Sequence, residues 1–299
     1  HWRRTQTREV MVGWRAWHRF FAPSRDKGGA EVLSALEAWL AQRDPTRPFF
    51  VLVNLFEAHA PHQEVPHPVR DRFLSGSSTQ AEIDGERLHM SQVFGGTPDL
   101  PPARVADLAD GAHAAADDYL GRLVATLGDD VVLIVVSDHG ESFGEHEGLW
   151  GHNLGLYEPL VRVPLVILGP GVQTQRVDAP VSLVDVAPTL RSLTGLPARR
   201  SDGIDLAPVL AGASPDADRV VFAEHFRTDY LTAAIQIAHP LTEHTALRAR
   251  RAAAISATHK RQRVGAKLDL GFHLVVDPGE SAPFPGPQSG LALEALEAP

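Results

Sequence analysis

The sequence predicts an α/β fold: an α/β/α sandwich with a mainly parallel sheet, carrying a small α+β subdomain at its carboxyl end. Three features predict it. Apolar runs of strand length, FFVLVNLF (49–56), VVLIVV (131–136) and VPLVILGPG (163–171), are continuous rather than alternating, as in strands buried on both faces. Segments of helical period lie between them, and such alternation implies a parallel sheet covered by helices. From residue 213 onward the pattern breaks into short, separate β-like stretches. The chain therefore reads as an α/β domain over 1–212, followed by a small subdomain and tail over 213–299.

The elements follow in order. Residues 1–28 are basic and aromatic, and Trp14, Trp17 and Phe21 share one helical face expected to pack on the domain. Val32, Leu33, Leu36, Trp39 and Leu40 form the apolar stripe of a helix over 29–43. DPTRP turns the chain into the strand 49–56, which delivers Glu57 and His59 at its carboxyl end. Residues 62–102, rich in Pro, Gly and Ser, read as a long excursion. A helix over 103–127 carries Val105, Leu108, Ala112, Ala115, Tyr119, Leu120, Leu123, Val124 and Leu127 at helical spacing. The strand 131–136 runs into Ser-Asp-His-Gly-Glu and a loop dense in glycine and histidine, and a further strand covers 163–171. Ser182 is a candidate N-cap for a helix ended by Gly195 and Pro197, with Pro188 either kinking it or delaying its start. In the subdomain, strands are expected at 219–223, 252–257 and 272–276. The basic run of RARR and HKRQR reads as a solvated face, and the tail after Asp277-Pro278 as loosely ordered.

Composition removes several function classes. A formal net charge of −9 argues against a nucleic-acid binder. The absence of cysteine excludes disulfides, thiolate zinc sites and a cysteine nucleophile within this chain. No window approaches the roughly 18–20 apolar residues of a membrane span. No signal-peptide pattern follows the basic start, and the first residue is His rather than Met. Any signal peptide would lie upstream, so the sequence leaves the compartment open.

The chemistry concentrates at strand ends, where open α/β sheets bind ligands. Asp138 and His139 sit at the end of one strand, Glu57 and His59 at the end of another. Gly140 lets the chain leave steeply without a Cβ clash. A carboxylate oxygen beside an imidazole nitrogen suits a divalent metal and does not by itself separate Ca²⁺, Mg²⁺, Mn²⁺ and Zn²⁺. His146 and His152 share the same loop, with Glu141 and Glu145 among them.

SDHGESFGEHEGLWGHNLGLYEPLVRVPLVILGPG resembles the carboxyl half of the sulfatase branch of the alkaline phosphatase superfamily. FFVLVNLFEAHAPH resembles that family's strand ending in His-x-Pro, and DDYLGRLVATL its helix before the metal strand. VSLVDVAPTLRSLTGLP with DGIDLAPVLAG resembles its Asp-x-x-Pro-Thr helix, and HLVVDPGES its late Asp-Pro-x-Glu element. In order, these pieces span residues 29–281.

The resemblance implies an alkaline-phosphatase-like sandwich and a metal-dependent hydrolase of small-molecule or glycan sulfate esters. It implies Asp138 and His139 as ligands of a divalent cation, Ca²⁺ first with Mg²⁺ or Mn²⁺ as alternatives. His59 matches the histidine that contacts the substrate's anionic group. His152 falls near the leaving-group oxygen, where an imidazolium could donate a proton. His59 and His152 are thus the expected catalytic and substrate-binding residues, with His146 a further substrate contact or, equally, a loop-shaping one. Arg162 is expected to be structural.

The family's nucleophile segment, a strand ending in Asp and then Cys/Ser/Thr-x-Pro-Ser-Arg, is not found. The string FAPSR (21–25) reads as a coincidence, since Phe21 occupies the nucleophile position and no metal-binding strand lies ahead of it. The expectation is an N-terminally truncated member that is inactive by itself. The alternatives are a phosphodiester or phosphonate monoester hydrolase, or a phosphoryl transferase, of the same superfamily, and a non-catalytic anion-binding relic.

Overall fold

The structure is a computed structural model that describes residues 27–60, 62, 67–70, 72–74, 102–146, 150–152, 155–226, 249–266 and 268–293. The aromatic segment before residue 27, FAPSR included, and most of the expected excursion 62–102 lie outside the described residues. The chain divides into two compact units between Leu127 and Gly128.

In the first unit, helix α1 (Gly29–Gln42) turns Leu33 and Leu36 inward; of the rest of the predicted stripe, Val32 and Leu40 are partly buried and Trp39 is exposed. Its first turn is fastened by Glu57, wholly buried, whose Oε1 accepts a hydrogen bond from the Gly29 N–H at 2.8 Å. A carboxylate suits the positive end of a helix dipole. Gly29 is required by close approach, because a Cβ there would lie 2.6 Å from both that oxygen and the Tyr119 ring. The short helix α2 (His67–Arg70) sets Val69 against Ala112 and Ala115 of α3 (Pro102–Leu127). Helix α3 buries Val105, Leu108, Ala112, Ala115, Tyr119 and Leu123 of its predicted apolar positions, whereas Leu120 and Leu127 are only partly buried and Val124 is exposed.

Segment 49–56 departs from expectation. It pairs with no strand among the described residues, and Phe50 and Leu52 are 71% and 84% exposed. An apolar run specifies an extended segment suited to burial; a ladder also needs a neighbour.

The second unit begins with β1 (Leu133–Val136), which pairs with β4 (Leu165–Leu168) from Leu133 opposite Leu168 to Val136 opposite Leu165. This pair is antiparallel, where the sequence suggests parallel neighbours. A parallel return needs a crossover long enough to span the strand. Among the described residues between these strands, the only helix is the four-residue α4 (Glu158–Val161). The pair is also only partly buried, with Val136, Val166 and Leu168 more than two-fifths exposed.

The Asp-x-x-Pro-Thr motif folds as a 3₁₀ turn (Leu183–Asp185) running into α5 (Val186–Leu193). Pro188 falls in the first turn of α5, where its missing N–H leaves no bond unmade. Asp185 is fully buried, and its oxygens accept from Ser182 N–H at 2.7 Å, Ile204 N–H at 2.9 Å and the Arg219 guanidinium at 2.7 and 2.8 Å. Thr189 Oγ1, equally buried, accepts from Leu206 N–H at 2.8 Å. The motif thereby pins the chain leading to α6 (Ala207–Leu210).

A five-stranded antiparallel sheet closes the unit in the order β5 (Val221–His225), β6 (Arg251–Ile255), β7 (His259–Val264), β8 (Leu268–His273), β9 (Phe284–Pro285). This corrects two expectations. HKRQR is the central strand rather than a solvated face: Lys260, Arg261 and Gln262 are all buried. Its charges are paired, so the strand escapes a hydropathy reading. Lys260 Nζ lies 2.9 Å from Glu280 Oε1 and 3.2 Å from Glu158 Oε1, and Arg261 grips Asp269 with two bonds at 3.0 and 2.8 Å. The segment after Pro278 is likewise built in: it supplies β9, a 3₁₀ turn (Gly286–Ser289) and the buried Leu293.

Two outcomes follow. Removing one member of a buried ion pair strands the other charge and costs about 3–5 kcal/mol. Lys260→Ala is therefore expected to lower the urea midpoint by that equivalent, with much of the loss recovered in Lys260→Met/Glu280→Gln. Burial works to raise the Asp185 carboxyl, but Arg219 and the Ser182 and Ile204 N–H groups outweigh it and hold it below its ordinary value. A depressed carboxyl stabilises above the unfolded value, about pH 4, and loses that contribution as pH falls through its folded value. Asp185→Asn should be less stable at neutral pH and lose less on acidification below about pH 4, as measured by melting temperature against pH.

Candidate functional site

Strand β1 ends where the polar residues begin, at Ser137-Asp138-His139-Gly140. The Ser137 hydroxyl donates to the His139 carbonyl at 2.7 Å and tightens the turn. Asp138 projects outward with its side chain 87% exposed, and its Oδ1 accepts the His139 backbone N–H at 3.1 Å. Gly140 is fixed by close approach rather than by an unusual φ. Its N–H donates to the Leu160 carbonyl at 2.9 Å, and a Cβ would fall 2.0 Å from the Pro159 oxygen.

The partner of His139 Nδ1 is the Gly140 carbonyl at 2.8 Å. A carbonyl only accepts, so Nδ1 carries the proton and Nε2 is the ring's basic nitrogen. Nε2 lies 3.7 Å from Asp138 Oδ1. A carboxylate oxygen and an imidazole lone pair at that separation can share one divalent cation. The Nδ1–H···O=C bond is of the kind that fixes the tautomer and ring orientation of metal-bound histidines.

His152 is brought back by a two-residue ladder. β2 (Ser142–Phe143) pairs with β3 (Trp150–Gly151), Ser142 opposite Gly151, so the next pair outward is Glu141 opposite His152. Glu141 Oε2 meets His152 Nδ1 at 3.1 Å, with the two side chains 13% and 21% exposed. The His152 ring stacks on that of His139 with centroids 4.0 Å apart and planes 22° from parallel. The Glu141 hydrogen bond raises the His152 imidazole above its ordinary value against the opposing effect of burial, and the charges of Glu141 and Asp138 add to the rise.

The structure thus gathers Asp138, His139 and His152 on one loop of the second unit. His146 is directed elsewhere: buried, it stacks on Tyr157 at 3.9 Å and 9°, and Tyr157 meets Phe272 edge-on. That contact suits its loop-shaping role. Glu145 Oε2 accepts from Phe143 N–H at 2.7 Å, also shaping the loop. Arg162 follows α4 as its C-cap. His59 belongs to the first unit, in the turn after segment 49–56, with its Nδ1 against the Ala60 carbonyl and Lys27 donating to its own carbonyl. Glu141 is the residue whose role sequence reasoning missed. Its pairing with His152 rests on a ladder too short to announce itself in the sequence.

Residues 28–196 match the family model described as Sulfatase. The chain belongs to the sulfatase family. Choline-sulfatase of Rhizobium meliloti (strain 1021) is 37% identical over 105 residues, covering 32% of this chain and 20% of that protein. An ulvan-active sulfatase of Formosa agariphila is 28% identical over 189 residues, covering 58% and 34%. The crystal structure of a phosphonate monoester hydrolase of Agrobacterium radiobacter superposes with a TM-score of 0.66 at 25% identity, over 88% of this chain and 57% of that one. The fold is therefore the α/β fold of the sulfatases and their alkaline-phosphatase-like relatives. The chain spans about a fifth to a third of the length of these two sulfatases. Among the described residues, no helix is long and apolar enough to cross a membrane.

A raised histidine holds its proton to higher pH. The Glu141–imidazolium pair therefore stabilises fully below the unfolded value near pH 6.5 and is lost as pH rises through the folded value. In the metal-free chain, the His152 ring resonance should titrate above that of an unstructured histidine. Glu141→Gln should bring it down, as followed by NMR.

Proposed function

We propose that this chain carries the cation-binding and leaving-group side of a sulfate-ester hydrolase. The observation that carries this reading is the Asp138 Oδ1–His139 Nε2 pair, 3.7 Å apart and with its tautomer set by Gly140, beside the Glu141-held imidazole of His152. Asp138 and His139 would hold a divalent cation, Ca²⁺ first with Mg²⁺ or Mn²⁺ as alternatives. When bound, such a cation neutralises charge on the sulfuryl oxygens.

The chain's own residues do the rest. His152, with Nδ1–H donated to Glu141, presents Nε2 to the ester oxygen. As a nucleophile that this chain does not supply bonds to sulfur and the ester sulfur–oxygen bond breaks, Nε2–H gives its proton to the departing alkoxide, and the neutral imidazole remains oriented by Glu141. The family's Cys/Ser/Thr-x-Pro-Ser-Arg nucleophile segment is not found in this sequence, so the 299-residue chain by itself is expected to show no appreciable turnover. Small-molecule or glycan sulfate esters are the substrate class.

A second reading, a phosphonate monoester or phosphodiester hydrolase, is favoured by the superposition on the Agrobacterium enzyme and by the Asp-His pair. Side-by-side kcat/KM values for aryl sulfates and aryl phosphonates, on the protein as the cell makes it, decide between them.

In that assay Asp138→Ala and His139→Ala should each lower kcat/KM by about 10²-fold or more, as loss of charge stabilisation at a reacting group does. His152→Ala should slow alkyl sulfates far more than 4-nitrophenyl sulfate, whose leaving group needs no proton. Equal losses on both substrates would remove the proton-donor role. Wild-type activity in the Asp138 and His139 variants would remove the proposal itself.

A further inference from the structure

We infer that His259 and His273 form a second metal site, on the C-terminal sheet, for a first-row transition cation of the Ni²⁺, Cu²⁺ and Zn²⁺ class. The two residues face each other across β7 and β8. The next pair outward is hydrogen-bonded, with Leu274 N–H donating to the Thr258 carbonyl at 2.8 Å. Antiparallel ladders alternate, so His259 and His273 occupy a non-hydrogen-bonded pair, the type that brings facing side chains closest. Their ring centroids are 4.5 Å apart. Both side chains are partly exposed, and neither Nε2 has a hydrogen-bond partner among the described residues.

The surroundings orient the pair. His259 follows the turn 256–258, whose Ser256 hydroxyl oxygen accepts the His259 N–H at 3.0 Å. Thr258 Oγ1 lies 2.8 Å from His259 Nδ1; with Nδ1–H donating there, the Nε2 lone pair faces outward. The contact from Val276 N–H to His273 Nδ1 is long, 3.4 Å, and its loss on a change of tautomer costs little. Phe284 walls one side, its ring edge-on to His259 at 6.4 Å. It can cross there because residue 271 is glycine: a Cβ at 271 would meet the Phe284 ring at 2.3 Å.

The donor set selects the ion. Two imidazoles and no carboxylate favour borderline transition cations over Ca²⁺ or Mg²⁺. The two acids nearest in sequence to His273 are both committed: Asp269 to Arg261 and Arg263, and Asp277 to Ser281 and Ala282. The remaining coordination positions would be filled by water. This site uses none of the residues assigned to ester hydrolysis, so it stands or falls separately.

The probe is Ni²⁺ alone, titrated into the full chain carrying His139→Gln and His152→Gln, which silences the imidazoles of the strand-end loop. Binding by a chelating pair should weaken about tenfold or more on either His259→Gln or His273→Gln, with little further loss when both are changed. No loss, or independent additive losses from the two substitutions, would overturn the site. A second measurement needs no substitution. Substoichiometric Ni²⁺ should broaden the His259 and His273 ring resonances of the unaltered chain together. Broadening of one without the other, or of neither, would equally overturn it.

Discussion

Four consecutive residues, Tyr157 to Leu160, hold the second unit in register with itself. Tyr157 takes the His146 ring on one side and the Phe272 edge on another. Glu158 meets Lys260 through its carboxylate and Glu280 through its backbone N–H. Pro159 lies so close to Gly140 that no side chain fits, and the Leu160 carbonyl accepts the Gly140 N–H. The turn after β1 and the inner face of the C-terminal sheet are thus gripped by the same short helix. The direction in which Asp138 and His139 leave their strand is set from its far side.

This arrangement explains why so many charged residues of the recognisable motifs sit away from the chemistry. Asp185 and Glu280 belong to the Asp-x-x-Pro-Thr and Asp-Pro-x-Glu elements, and both are buried. Asp185 ties three segments together through Ser182, Ile204 and Arg219. Glu280, held at a positive φ of 51°, faces Lys260 and accepts from the Glu158 N–H. Burial raises its carboxyl despite the opposing pull of Lys260. Ion pairs of this kind add little net stability over apolar packing. What they supply is geometry, since each buried charge accepts only the arrangement that pairs it.

Much of this was legible in the sequence, and the failures share a cause. Helices α1 and α3 were readable because a 3.6-residue stripe is a local property. Strand β1 and the polar cluster after it were readable because an apolar run meeting Asp-His-Gly is also local. Pairing was not. The antiparallel partner of β1, the absence of a ladder for 49–56 among the described residues and the central place of HKRQR all depend on what lies across from a segment. Lys260 illustrates the difficulty: as a sequence symbol it says surface, and only Glu158 and Glu280, 102 and 20 residues away, make its burial possible. In the candidate site, Asp138, His139 and His152 were legible from residue type and family resemblance. Glu141's partnership was not, because it depends on a ladder of two residue pairs.

That small ladder also bears on the order in which the site can assemble. A two-residue hairpin has no independent stability in water. The Glu141–His152 contact must therefore lean on the turn at Gly140 and on the His139 ring beneath His152. The Gly140 turn in turn requires α4 in place, and α4 is anchored by charges that are satisfied only when β7 is already paired and the Asp277–Glu280 turn has formed. The dependence runs from the last strands of the chain back to the loop at its middle. A loop rich in glycine and histidine can thus hold two imidazole rings 4.0 Å apart without a long element of its own, because the geometry it lacks locally comes from the sheet formed more than a hundred residues later.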